Sequence, residues 1–433
     1  MLVAEGIQTL RIETSFPRVV KAHQRFETPA LEDIEGAVRS ELERLGVPGR
    51  IRPQMRVALT GGSRGIYQIA RILAAVAAEV RRAGAEPFVV PAMGSHGGAT
   101  AEGQVGMLES LGMTEQALGC PIRSSMDTVV LGRLPSGLDV HIDRNAYEAD
   151  AIIPVNRVKP HTDFKGEIES GLAKICAIGL GKRSGAEQIH ARGTKGLRTL
   201  LAPAAQYMVQ QTGKFLCGVA ILENAYERTA RIEAVPADQI GGPREVELQR
   251  EAKGLMASLP FDQIDVLIVD EMGKNVSGTG MDTNILGRMM IHGEPEFTCP
   301  DVTALVVLDL TEASHGNAVG IGLADVTTQR LASKVDLEAT YINGITSGVG
   351  GVQRAKMPSV LPTDRAAIAV ALRACARPDP QNARLVRIKN TLELSELWIS
   401  ESLLSEARAH PRLTVDGVPR SMAFGPDGDA WAL

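Results

Sequence analysis

The chain has 433 residues, beyond the roughly 250–300 at which single hydrophobic cores stop growing, so two domains are expected. Apolar residues make up 44% and charged residues 22%, with 44 glycines, which excludes a disordered chain and points to many tight loops. A net charge of −5 with 3% aromatic residues offers neither a basic stripe nor stacking platforms, so a small molecule rather than nucleic acid is the expected partner.

No apolar run approaches the roughly 18 residues of a membrane span. Residues 1–16 lack the basic start and apolar centre of a leader, and a cytoplasmic protein off the membrane is expected. Five dispersed cysteines, Cys120, Cys176, Cys217, Cys299 and Cys375, predict buried reduced thiols, not a disulfide framework or zinc ribbon.

In chain order, an apolar strand at Arg56–Thr60 runs through a Gly-rich turn into a long Ala-rich helix over about Ile66–Ala83. A second strand, Pro87–Pro91, and a second Gly-rich turn follow. Leu131–Ile142 alternates around Pro-Ser-Gly as an antiparallel hairpin, and Ala151–Val155 is the next strand. A helix-rich stretch then reaches Gly213, followed by β segments at Phe215–Leu222 and Ala230–Val235 and a charged helix at Glu245–Leu259. A new apolar strand at Ile264–Val269, repeated in kind at Ala304–Leu310, restarts the pattern, so the boundary is set near Pro260. The expectation is two α/β domains, 1–260 and 261–433, with mostly parallel sheets and an active site in the cleft between them.

Val57-Ala-Leu-Thr-Gly-Gly-Ser-Arg-Gly-Ile66 resembles the cofactor turn of short-chain dehydrogenases, but Tyr67 stands where that fingerprint needs its last glycine, and no Tyr-x-x-x-Lys pair follows. What remains is an anion nest of backbone N–H groups at Gly62 and Ser63, with Arg64 able to grip a carboxylate or phosphate. Two further turns each place a histidine just past a strand: Met93-Gly-Ser-His-Gly-Gly98 with His96, and Val158-Lys-Pro-His161 with His161. Ser170-Gly-Leu-Ala-Lys174 then puts a lysine inside an apolar stretch, where burial lowers an amine pKa and makes it nucleophilic, and His190 lies sixteen residues on.

This order of a Gly-x-His turn, a Pro-His turn, a Ser-Gly-x-x-Lys segment and a following histidine resembles the nickel-dependent lactate racemase family, best over residues 10–260. The resemblance implies that Lys174 tethers a nickel-pincer nucleotide, pyridinium-3,5-bisthiocarboxylic acid mononucleotide, with Gly62 and Ser63 among its contacts. It makes His190 the nickel ligand, a role imidazole suits. It makes His96 and His161 the acid/base pair and Arg64 the carboxylate-binding residue. One histidine would take the hydroxyl proton of an α-hydroxy acid while the α-hydrogen leaves as hydride. The planar 2-keto acid, reduced again from its other face, would emerge inverted. Enzymes that build the cofactor are implied partners, and homo-oligomer formation is left open.

The chain departs from the family pattern in three places. Gly61 and Gly65 replace an Asp and a Pro around Arg64; Asp163, Lys165, Glu167 and Glu169 are extra charges before Lys174; and Asp270–Asn284 is a Gly-rich loop in which Lys274 is the candidate substrate-binding charge. The extra charges either reshape the pocket or coat a loop, and His315 in Ala313-Ser-His-Gly-Asn317 has no assigned role. Two other readings share these residues: a carrier of the nickel cofactor without turnover, using Lys174 and His190, and an NAD(P)-dependent oxidoreductase using Gly61–Gly65.

Overall fold

The computed structural model describes residues 14–429. The expected lack of a leader rests mainly on residues 1–13, which lie outside the described residues. The chain forms two α/β units, Thr28–Met256 and a second composed of residues 14–27 and 257–429. Strand β1 (Arg18–Gln24) therefore does not join the strands that follow it. It pairs antiparallel with Glu396–Ser400 and Leu413–Ser421, near the other end of the chain. The division at Met256 and the placement of β1 replace the continuous span 1–260 expected from local pattern.

The unit Thr28–Met256 is built on β2 (Arg56–Gly61), flanked in parallel by β3 (Glu86–Pro91). After the hairpin β4 (Thr128–Arg133) and β5 (Asp139–Asp143), strand β6 (Ala151–Ile153) returns in parallel to the other side of β2. Val57, Ala58 and Leu59 are all fully buried because both sheet faces are covered. Val57 and Leu59 pack into one core with Ile72, Leu73 and Val76 of the helix Ile69–Arg82, while Ala58 faces a second core with Phe88, Leu172 and Ile175. The helix starts at Ile69, three residues after its expected start, because Gln68 turns left-handed (φ 54°) before it.

Pro154 has no N–H to give a ladder, and the expected single strand 151–155 splits there. Ala151–Ile153 stays with β2, while β7 (Val155–Arg157) moves to a second sheet beside β8 (Cys217–Glu223), itself antiparallel to β9 (Thr229–Pro236). The buried Thr60 hydroxyl closes the seam by accepting from Val155 N–H at 2.8 Å and donating to Val155 C=O at 3.1 Å. As a result β2, β3 and β7 end together on one side, where ligands bind in open α/β sheets.

In the second unit β10 (Gln263–Met272), β11 (Asp301–Leu310), β12 (Val326–Thr328), β13 (Ser359–Leu361) and β14 (Leu385–Ile388) are parallel, in the order β13-β12-β11-β10-β14. β15 (Glu396–Ser400), β1 and β16 (Leu413–Ser421) extend that sheet antiparallel. The fold is thus α/β with mostly parallel sheets. All five cysteines are free, four of them buried; Cys299 is exposed, against the expectation of burial. Among the described residues no helix is long and apolar enough to cross a membrane.

Thr60→Val keeps the shape of residue 60 and removes both bonds at the seam. It is expected to lower unfolding stability by about 1–3 kcal/mol, the cost of unsatisfied buried backbone groups, measured by urea denaturation. No change in the urea midpoint would show that the seam is held by packing alone.

Candidate active site

The loops after β2, β3 and β7 carry Ser63 and Arg64, His96, and His161 respectively. Gly97 takes a left-handed conformation (φ 64°), and a Cβ there would meet the Gly103 backbone at 2.6 Å, so glycine is required for the turn beyond His96. Ser63 Oγ and His96 Nδ1 lie 2.5 Å apart, tying the first loop to the second.

His161 is held through its backbone. Its N–H donates to Glu169 Oε2 at 2.8 Å, its carbonyl accepts from Lys165 Nζ at 3.0 Å, and its Nδ1 accepts from Asp163 N–H at 3.0 Å. That last bond leaves the hydrogen of the neutral ring on Nε2. The side chain of Glu169 is fully buried and also pairs with Lys253 Nζ at 2.9 Å. The extra charges of this segment therefore divide in function: Lys165 and Glu169 brace the His161 loop, Glu167 is exposed, and Asp163 faces the site electrostatically.

Lys174 closes the short helix Leu172–Lys174, whose free N-terminal N–H at Ala173 is accepted by the buried Glu245 carboxylate at 2.9 Å. The chain continues without a break into a π-helix, Ile175–Leu180, a form frequent at functional sites. Gly179 allows this segment to reach the end of β3, where a Cβ would stand 2.6 Å from Ala92 O. A new helix, Lys182–His190, then presents His190 at its last residue.

Arg64, His96, His161, Lys174 and His190 share one electrostatic neighbourhood. Desolvation lowers the Lys174 amine to about 8, aided by the Arg64 charge and opposed by Asp163 and Glu169. Desolvation, Arg64, Lys174 and His190 lower His96 to about 4. His161 lies well below the ordinary imidazole value through desolvation and Lys174, and His190 is lowered by the same two causes. Arg64, His96 and His190 nevertheless keep exposed surface, and Lys174 and His161 are half-buried. All three histidine shifts favour the neutral imidazole.

One expectation needs correction. Gly62 and Ser63 do not open the helix, which begins only at Ile69, so no helix N-terminus reinforces an anion nest there. Tyr67, which stands where the dehydrogenase fingerprint needs a glycine, precedes the helix rather than packing inside it, is 41% exposed, and donates its N–H to Glu223 Oε1 at 2.7 Å. Lys274 lies in the other unit, where its ammonium donates to Gly278 O at 2.8 Å within its own Gly-rich loop. Gly273 of that loop admits no side chain, since a Cβ would meet Thr311 Oγ1 at 1.9 Å. His315 forms a left-handed turn after a short 3₁₀ segment.

Residues 25–197, which carry every member of the cluster, match the family model for the lactate racemase N-terminal domain. Over that stretch the chain is similar to the lactate racemase family. Among solved structures it is similar to the lactate racemase apoprotein from Thermoanaerobacterium thermosaccharolyticum, at 14% identity and TM-score 0.44, covering 66% of this chain and 69% of that one. A Thermotoga maritima protein of known structure is similar at 14% identity and TM-score 0.46, over 66% of this chain and 72% of that one. No curated protein matches the chain.

An amine at about 8 is about one-quarter unprotonated at pH 7.5, against roughly a thousandth for an ordinary lysine. Competitive acylation read by peptide mass spectrometry is therefore expected to label Lys174 ahead of exposed lysines, with a midpoint near pH 8. A midpoint above 10 would remove the case for a prepared nucleophile.

Proposed function

We propose that this cluster is the active site of a racemase or 2-epimerase that inverts the hydroxyl-bearing carbon of an α-hydroxy acid, with a nickel-pincer nucleotide tethered at Lys174. The observation that carries the reading is one electrostatic neighbourhood shared by Arg64, Lys174 and three histidines whose pKa values are all lowered, within residues 25–197, which match the lactate racemase N-terminal domain.

The residues fit such a group. Among the described residues no three His, Cys, Asp or Glu side chains gather to hold a metal, so His190 supplies one neutral imidazole donor and the remaining donors have to arrive with a bound group. Lys174, within electrostatic reach of His190, offers the amine for its attachment. When bound, the group supplies a reversible acceptor for the hydride of the substrate carbon.

The chain's own residues do the rest. Arg64 binds the substrate carboxylate, since its guanidinium is partly open to solvent and is held down chiefly by desolvation. His96 takes the hydroxyl proton in the tautomer whose Nδ1 donates to Ser63 Oγ, which leaves the Nε2 lone pair open. His161 starts with its hydrogen on Nε2, so serving the opposite enantiomer as base requires it to exchange its Asp163 contact. Attachment through the Lys174 amine removes one of the charges that hold all three histidines low, and a carboxylate beside Arg64 offsets a second. Both changes raise His96 and His161 toward the range where they shuttle protons near neutral pH.

His96→Gln and His161→Gln are each expected to lower racemisation by about 10²–10⁴-fold while leaving the intact-mass adduct on Lys174 and its nickel unchanged. Lys174→Arg is expected to lose the adduct. A substrate deuterated at the inverted carbon retains its label if hydride returns internally; wash-out into water counts against the mechanism. Fully loaded wild-type protein that inverts no hydroxy acid would instead support a cofactor carrier.

A further inference from the structure

We propose that Lys182 and Gln104 are positioning residues that fix the His96 loop against the helix ending in His190. The inference rests on the reading above for what His96 does, though not for how His96 is held.

Lys182 is fully buried, a costly place for an ammonium unless every hydrogen finds a partner. Its backbone is also left-handed (φ 51°), a conformation that disfavours any residue with a Cβ by about 1 kcal/mol or more. The ammonium donates to Pro91 O at the end of β3 (2.6 Å) and to Gln104 Oε1 (2.9 Å), and lies 3.1 Å from Asp143 Oδ2 at the end of β5. The Asp143 contact is an ion pair set off the hydrogen-bond direction; its other oxygen caps the helix Arg144–Glu148 by accepting from Ala146 N–H. Three separate elements thus converge on one side chain at the start of the helix Lys182–His190.

Gln104 transmits this anchor. It is fully buried, and with its carbonyl oxygen taken by the ammonium, its NH₂ group is oriented the other way. That group donates to Gly94 O at 2.9 Å and to His96 O at 3.3 Å. The loop it grips is rich in glycine, with Gly94, Gly97 and Gly98 all left-handed, and has little side-chain packing of its own. A simple packing role would be met by an apolar residue, since buried ion pairs replaced by apolar groups of similar volume often cost nothing in stability. What an apolar residue cannot supply is the fixed orientation of the Gln104 amide, and through it the place of the His96 carbonyl.

The test uses the cofactor-free full chain, so it stands or falls separately from the reaction proposed above. Gln104→Glu keeps an acceptor for Lys182 but sets an oxygen against the two loop carbonyls. Lys182→Met with Asp143→Asn removes both buried charges while keeping the helix cap, and Gln104→Met keeps volume alone. In each variant the ring resonances of His96, observed by NMR with labelled histidine, are expected to shift and broaden while those of His161 and His190 stay in place. Amide exchange over residues 94–99 is expected to accelerate by about tenfold or more. In loaded enzyme kcat should fall about 10- to 100-fold with KM nearly unchanged. Wild-type His96 resonances and loop exchange in any folded member of the set would overturn the proposal, as would equal displacement of all three histidines.

Discussion

Crowding of cationic and imidazole groups at one end of a parallel sheet is the constraint on which the site depends. Arg64 and Lys174 stand within electrostatic reach of His96 and His161, and Lys174 also acts on His190, in surroundings where desolvation already opposes charge. Protons are the variable that yields. The shifts favour the neutral imidazoles, and the amine gives up part of its charge, which leaves lone pairs on groups that the proposed function uses. Asp163 is the counterweight, acting on Arg64, His161, Lys174 and His190 alike. Its place in the segment before Lys174 means that the electrostatic balance of the site is set by the same loop that carries His161.

Holding such a cluster together against its own repulsion requires a rigid frame, and the backbone supplies it through a few unusual features. Pro154 ends one ladder and starts another, so β7 delivers His161 from a second sheet to the same edge as the loops after β2 and β3. The π-helix Ile175–Leu180 changes the helical phase between Lys174 and the helix that ends in His190. Buried polar groups, Thr60, Gln104, Lys182, Glu169 and Glu245, then tie these pieces to one another where apolar contacts have no directionality.

Much of this was legible from local pattern because local pattern is what strands and turns obey. The strands at 56–61, 86–91, 217–223 and 263–272 follow runs of apolar residues, and glycine or proline marks each histidine-bearing turn. The burial of Lys174 followed from its apolar neighbours. What was not legible depends on partners distant in sequence. β1 reads as an ordinary short strand, and only its pairing with residues 396–400 and 413–421 assigns it to the second unit. Lys182 reads as one more surface lysine beside Arg183, yet Arg183 is exposed and pairs with Glu187 while Lys182 points into the core. No periodicity distinguishes the two, because the difference lies in a left-handed backbone turn and in acceptors supplied by Pro91, Gln104 and Asp143. Lys274 shows the same limit: local pattern places it in a Gly-rich loop and does not reveal that its ammonium donates to Gly278 O of that loop.

The same contrast explains how the two histidine loops differ. His161 is secured by charged residues adjacent in sequence, Asp163, Lys165 and Glu169, so its loop is a self-contained turn. His96 sits among glycines, and apart from turn bonds and the Ser63 contact its restraint is imported from Gln104 and Lys182. A histidine on a self-braced turn and a histidine on a glycine loop have different freedom to move. His161 exchanges its Nδ1 partner only by rearranging its own turn, whereas His96 swings only as far as a buried amide on a neighbouring helix permits. The inversion proposed above needs protons handled on two sides of one carbon, and the loops that carry the two histidines are braced in different ways.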